Sequence, residues 1–441
     1  MNLVLAKNET GRALSDSFAI ARDRLPGAGK VAEARSAAFD AYERTGLPHR
    51  RIEDWKYTDL RALMREVLPL ADAPDAAALK RAAAAVKLQA IKGARALVLV
   101  DGVFVPKLSE VGGLEKGLTI RTLRDVLETG DATLQAQLFS PDNDNPMIAL
   151  NSAMITDGVV IEIANGVVLK QPLQIIHVAS TPAAVAMYTR SLLRLGRDAG
   201  ATLVESYVAA NGAKTYQAHD SLVVAIGDNS RLDHIRLVED SRDAFNISSA
   251  VVTLGAHAHF NTFGMTSGAA VSRYQATITF AGEHSGVETN GVNLLNGRQH
   301  ADTTLFMDHA VPHCTSREVF RAVVDDRGHS VFQGRIIVRP DAQKTDAKMM
   351  TRALLLSDEA EANNKPELEI FADDVTCGHG ATTGALDESL LFYMRARGLP
   401  EKEAQALLIQ AFVGEAIESI ASDDLREVAI AAARRWLEAR A

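Results

Sequence analysis

Apolar positions along the chain change their spacing twice, and the changes divide it into three stretches. From residue 15 to about 138 they recur at helical intervals. Ala34, Ala37, Ala38 and Ala41, with Phe39 and Tyr42, predict an amphipathic helix closed by Gly46 and Pro48. Thr58 stands where it can cap the next helix, whose face carries Leu60, Leu63, Met64 and Val67. Residues 76–88 are Ala-rich and predict another helix. One hairpin interrupts: Asp101-Gly102 lies between the apolar runs 97–100 and 103–105, and an Asp-Gly pair there favours a tight turn.

From about residue 158 to 338 helical periodicity fades. Short apolar runs at 159–163, 173–178, 203–208, 221–226, 250–254, 277–280 and 336–338 alternate with polar turns and predict many short strands. A weak repeat runs through them, with Gly196, Gly227, Gly255 and Gly282 spaced 27 to 31 residues apart. That spacing suits stacked solenoid coils, in which one coil cannot bury its apolar face without a neighbour. A β-helix and a two-sheet sandwich or barrel both satisfy the pattern.

Beyond residue 386 the helical pattern returns. Asp387 can cap a helix running through Tyr393 and closed by Gly398, and Pro400 suits the first position of the next. Leu407, Leu408, Ala411 and Phe412 form one apolar stripe; Leu425, Val428, Ala429, Ala432 and Trp436 form another. Such stripes serve packing on the same chain or docking of a partner.

Composition narrows the function. The 441 residues are 47% hydrophobic and 23% charged, enough to bury a core without staples. Lys and Arg number 47 against 56 Asp and Glu, a net charge of −9 that argues against bulk nucleic-acid binding. The two cysteines, Cys314 and Cys377, exclude a disulfide framework, a zinc ribbon and a four-thiolate cluster site held by this chain alone. No secretory h-region and no membrane-length apolar run are present, so a soluble cytoplasmic protein is expected. Sequons at Asn8 and Asn246 have no use in that compartment.

Several motifs suggest chemistry and then fail on spacing. Gly27-Ala28-Gly29-Lys30 lacks the earlier glycine and the following Ser or Thr of a phosphate loop, leaving a flexible link between helices. Gly378, Gly380 and Gly384 lack dinucleotide-loop spacing. Nine of the 12 histidines lie between His219 and His329. His257 and His259, two apart in a strand-like run, would share a face as in a cupin metal site, but no Glu follows; the alternative is a histidine ladder on stacked coils. The 226–232 run is similar to one coil of a β-helix acyltransferase, without its sustained period, and no Gly-x-Ser-x-Gly elbow exists. The sharpest local feature is Cys377-Gly378-His379-Gly380: a thiol and an imidazole two residues apart, flanked by glycines and preceded by Asp373 and Asp374, can both reach a soft metal. The other reading is a small packed Cys and a hydrogen-bonded loop His, and Cys314 reads as packing.

The stretch Asn363-Asn364-Lys365-Pro366-Glu367-Leu368-Glu369-Ile370-Phe371-Ala372-Asp373-Asp374-Val375, running into Cys377-Gly378-His379-Gly380-Ala381-Thr382, resembles the SufB/SufD family of iron–sulfur cluster assembly proteins. So do Ala342-Gln343-Lys344-Thr345-Asp346-Ala347, Leu354-Leu355-Leu356-Ser357, and Ala149-Leu150-Asn151 leading to Asp157-Gly158. Glu53-Asp54-Trp55-Lys56-Tyr57-Thr58-Asp59-Leu60 resembles the N-terminal motif of the SufD branch. That branch fits better: the chain is poor in cysteine, Gly378 and Gly380 stand where the SufB branch tends to be acidic, and residues 345–356 lack its ligand cysteine.

The resemblance implies a mainly β fold, a right-handed parallel β-helix core flanked by N-terminal and C-terminal helical regions, with boundaries expected at 1–150, 151–384 and 385–441. It implies no enzyme but a non-catalytic subunit of a scaffold with SufB and the ATPase SufC. SufC would dock on the C-terminal helices, and the neighbouring β-helix end would pair with SufB. The metal ligands expected here are His379, with Cys377 as a second ligand or a sulfur relay, for a transient Fe–S cluster shared with SufB. Flavin participation and a homodimer of the isolated chain stay open on the sequence. A cupin-like metalloenzyme and a β-helix acyltransferase are the other classes.

Overall fold

The computed structural model describes residues 9–139 and 145–440. Asn8 lies outside them. The N-terminal part holds α1 (Glu9–Ala21), α2 (Lys30–Thr45), α3 (Leu60–Leu63), α4 (Ala76–Gln89), the hairpin β1 (Arg95–Val100) and β2 (Val103–Phe104), then β3 (Leu118–Thr122), α5 (Leu123–Thr129), α6 (Ala132–Phe139) and α7 (Pro146–Met154). In the hairpin turn Asp101 and Gly102 both have positive φ, 47° and 80°, as a two-residue turn matched to strand twist requires.

A parallel β-solenoid of about eight turns follows. Its strands are β4 (Val159–Ile163), β5 (Leu173–Ala179), β6 (Val185–Leu195), β7 (Gly200–Ala209), β8 (Tyr216–Ile226), β9 (Arg231–Glu239), β10 (Phe245–Leu254), β11 (His259–Thr266) and β12 (Val271–Phe280), continuing with β13 (Gly286–Leu295), β14 (His300–His309), β15 (Thr315–Val324), β16 (His329–Val338), β17 (Asp346–Leu355), β18 (Glu361–Ile370) and β19 (Thr376–Gly384). From β4 onward odd and even strands separate into two sheets, and β1, β2 and β3 extend them, giving the orders β19-β17-β15-β13-β11-β9-β7-β5-β1-β2 and β18-β16-β14-β12-β10-β8-β6-β4-β3. Alternate residues turn inward: Leu203, Leu232, Phe260, Val287 and Ala347 from one sheet meet Leu193, Leu222, Ala250, Ile278 and Leu305 from the other.

The spaced glycines are explained by contact between turns. A Cβ on Gly227 would lie 2.7 Å from the Gly196 backbone, and one on Gly282 would lie 2.0 Å from the Ala256 nitrogen. Beside them Asp198, Asn229, His257, His284, His313 and Lys344 all have φ between 55° and 62°. The Asn229 amide donates to the Ala256 carbonyl, His257 to Glu283, and His313 to Gln343, so each turn hydrogen-bonds to the next. His257 stacks on His284 at 5.1 Å, and His284 on His313 at 4.7 Å. The ladder reading of these histidines therefore holds. His257 sits in a turn, so strand alternation does not place it on one face with His259, as a cupin site requires.

Helices cover the outer faces. Trp55, Leu60, Met64 and Leu150 pack on Tyr188 and Ile247 of the nine-stranded sheet. On the ten-stranded sheet, Val204, Ile235, Phe263, Val292 and Val323 receive Ile409, Val413, Leu425 and Trp436. These last belong to α9 (Glu401–Ile417) and α10 (Asp423–Arg440), which follow α8 (Glu388–Ala396). At roughly 1.5–3 kcal/mol per large buried side chain, this seam fixes the helices to the solenoid. Among the described residues no helix is long and apolar enough to cross a membrane.

Three expectations are corrected. Thr58 caps nothing: Asp59 accepts from the Arg61 amide at the start of α3, while Thr58 is buried against His300 and Asp302. The helix is only one turn long, so Val67 lies beyond it. Pro400 stands just before α9 as its N-cap rather than in its first turn. Asp387 behaves as expected, accepting from the Ser389 and Leu390 amides. Asn246 is fully buried and donates to Asp240, so it offers no glycan site.

Candidate metal centre

Strands β18 and β19 end the two sheets, and each pairs with one neighbour, β16 and β17. Their outer edges carry unpaired backbone groups, a template for strand addition. Cys377 and His379 lie on β19, opposite Ala347 and Met349 of β17. Ala347 and Met349 belong to the solenoid core, so alternation turns Cys377 and His379 to the same inner face. Cys377 packs partly against that core, and His379 is exposed. The segment is thus an edge strand rather than the expected loop.

Cys377's thiol is pushed up from its ordinary pKa by burial and by Asp346. Its proton must leave when a metal arrives, so thiolate forms with binding rather than before it. Asp374 does not face this pair: it is ion-paired with Lys344, and its amide donates to Gln343. Cys314, by contrast, is fully buried, and its thiol donates weakly to the Gly282 and Pro312 carbonyls at 3.5 Å, as a packing residue should.

Gly378 and Gly380 turn to the opposite, outer face. A Cβ on Gly378 would meet nothing within 4 Å, so the fold of this chain alone does not require glycine there. A Cβ on Gly380 would meet only the flexible end of Met350. Their bare backbone borders an open groove that Cys377 and His379 also line, together with Arg317, Lys348 and Met350.

The strand pattern hid one residue at this end. Glu318 of β15 opposes Met349, which opposes His379, so the three share one inward column. Glu318 is buried, both its carboxylate oxygens lack hydrogen-bond partners among the described residues, and burial pushes its pKa up to about 8. Between its ordinary value and about 8 the folded state holds a proton that the unfolded chain releases, so stability falls as pH rises through that range. Glu318→Met should therefore stabilise the chain by about 1–3 kcal/mol, more at pH 8.5 than at pH 5, as read from denaturation midpoints. An equal gain at both pH values would contradict the titration.

Exposed apolar side chains gather near the same end. Phe371, Leu390, Phe392 and Tyr393 are exposed, and none of α8 is buried. Leu407 of α9 joins them at 42% exposure. The α10 stripe, in contrast, is spent on the chain's own sheet. The exposed apolar surface at the C-terminus is thus α8 with Leu407, a division that the helical patterns did not reveal.

Comparison with known proteins gives the chain's family. The family model for the SufBD core domain of the SUF iron–sulfur cluster assembly system matches residues 177–412, and that for the SufBD N-terminal region matches residues 27–175. An iron–sulfur cluster assembly SufBD family protein of Synechocystis is 32% identical over 397 residues, 88% of this chain and 86% of its own. The iron–sulfur cluster assembly protein SufD of Escherichia coli is 31% identical over 391 residues, 88% of this chain and 89% of its own.

Proposed function

Because the chain belongs to the SufBD family of iron–sulfur cluster assembly proteins, we propose that it is a non-catalytic, cytoplasmic scaffold subunit. Its open solenoid end pairs with a SufB-type homologue, and its C-terminal helical region holds a SufC-type ATPase. The observation that carries this reading is the placement of Cys377 and His379 together on an edge strand whose free side pairs with no strand among the described residues. The nascent cluster is the cargo. A four-iron cluster needs about four ligands, and this chain offers one thiolate and one imidazole at that end, so the others come from the partner. Mixed thiolate–imidazole ligation holds a cluster less firmly than four thiolates and suits transfer.

The exposed face of α8 supports the ATPase docking. Phe392→Asp changes a side chain 73% exposed, so the subunit should fold unchanged. It should lose co-purification with the SufC-type ATPase by at least about tenfold while still pairing with the SufB-type subunit; a charge in a desolvated apolar contact costs several kcal/mol. Undiminished capture of the ATPase would move the docking site elsewhere. Loss of both partners together would point to misfolding, which circular dichroism of the isolated subunit detects.

A further inference from the structure

A second group of potential ligands lies inside the solenoid, far from β19. His177 of β5, Glu205 of β7 and Asp220 of β8 converge from both sheets, and one ligand atom from each lies within 4.8 Å of the others. Glu205 and Asp220 are 2% and 4% exposed. His177 Nε2 is buried without a hydrogen-bond partner among the described residues. A cavity of about 20 Å³ adjoins His177 and Asp220, bordered also by Thr189, Tyr207, Tyr216 and Asp240. That is room for one water-sized sphere.

The surroundings hold these ligands in place. His234 Nε2 meets Glu205 Oε2 at 2.9 Å, and His234 Nδ1 meets Thr262 at 2.9 Å. The Thr189 hydroxyl donates to Asp220 Oδ1 at 2.5 Å. The Tyr207 hydroxyl donates to Asp220 Oδ2 at 2.7 Å, with a longer contact to Glu205 at 3.3 Å. The His177 ring is stacked on Tyr207 at 4.4 Å. Each carboxylate oxygen keeps a lone pair beyond these bonds, as metal ligands oriented by outer partners do.

Charge points the same way. Glu205, Asp220 and Asp240 bring three carboxyl groups into this part of the core. Arg236, lying over the Tyr207 ring at 4.8 Å, and the buried Arg190, which acts on Asp220, are the permanent cations near them. One carboxyl charge is left over, and a bound cation would offset it.

We propose that His177, Glu205 and Asp220 form a mononuclear site for a first-row divalent cation suited to mixed imidazole and carboxylate ligands, the Mn²⁺, Fe²⁺ and Co²⁺ class. The remaining coordination positions open onto the cavity. Such an ion ties the ten-stranded sheet, through His177 and Glu205, to the nine-stranded sheet, through Asp220. The proposal does not rest on the scaffold role.

Titrating Mn²⁺ into the chelator-treated full-length chain tests it. Wild type should remove one equivalent from the free Mn²⁺ electron paramagnetic resonance signal, and the bound ion should show directly coordinated ¹⁴N by spin-echo modulation. His177→Phe keeps a ring on Tyr207 and Asp220→Asn keeps the partners of that side chain; each should weaken binding at least tenfold, and His177→Phe should abolish the ¹⁴N coupling. The His379→Ala protein should titrate like wild type, separating this site from the solenoid end. No bound equivalent in wild type, bound Mn²⁺ without ¹⁴N coupling, or wild-type binding by both interior variants would overturn the assignment. The wild-type result decides the matter even where an interior variant fails to fold.

Discussion

Replacing Asp302 by Ala should lower by about 3–5 kcal/mol the stability of the clamp that holds the segment around Trp55 on the nine-stranded sheet, the range expected when one partner of a buried ion pair is removed. The Arg273 and Asp302 side chains are 1% and 0% exposed and form an ion pair. Asp302 also accepts from Thr58 and from Thr304, the latter at 2.9 Å. The Arg273 guanidinium lies 3.8 Å over the Trp55 ring and donates to the Asp54 carbonyl at 2.7 Å. Removing the carboxylate leaves a buried guanidinium uncompensated and a buried hydroxyl without its acceptor. The neighbouring contacts Arg335–Asp54 and Lys365–Glu53 are more exposed and can contribute little in exchange. Trp55 reports the event in a Trp436→Phe background, where it is the sole tryptophan. Its emission should shift to the red at a lower urea concentration in the Asp302→Ala protein. Asp302→Asn, which keeps an acceptor but loses the charge, should fall between the two. An unchanged midpoint would mean that apolar packing of Leu60 and Met64 alone holds this segment.

The same clamp shows where sequence reading succeeds and where it stops. Local signals were readable because their causes are local: Asp101-Gly102 needs positive φ at both positions, and Gly227 and Gly282 stand where turns touch backbone to backbone. The role of Thr58 was not readable, because its acceptor lies 244 residues away and a hydroxyl before a short apolar run looks like a cap. His177, Glu205 and Asp220 look like ordinary polar residues in β runs until solenoid stacking brings two sheets together. The two C-terminal stripes look alike in sequence, yet α10 spends its own on the solenoid while α9 packs through Ile409 and Val413 and leaves Leu407 of its expected stripe exposed. The Cys377–His379 pair was found by residue type, but its glycine-rich surroundings resemble a loop. Pairing with β17, a long-range contact, makes it a strand and sets both side chains on one face.

That shared face gives the His379→Ala substitution its expected outcome. The imidazole is exposed on β19, so on the proposed function the variant should assemble with the SufB-type and SufC-type proteins at wild-type yield. Cluster formation by the assembled complex should nevertheless fall at least about tenfold, read as visible absorbance after anaerobic reconstitution with ferric iron, a thiol reductant and sulfide, because one of the two ligands proposed for this chain is gone. Cys377→Ser should act through the other ligand and cause a comparable loss. The informative companion is His379→Cys. A thiolate at that position restores the ligand count and holds the cluster more firmly than imidazole, so clusters should form but pass to an acceptor apoprotein more slowly than from wild type. If His379→Ala forms clusters normally, the ligand assignment fails. If His379→Cys both forms and transfers them at the wild-type rate, imidazole ligation is not what makes the site labile. The two variants thus separate holding the cluster from releasing it, and only a ligand at the shared edge predicts opposite effects on those two steps.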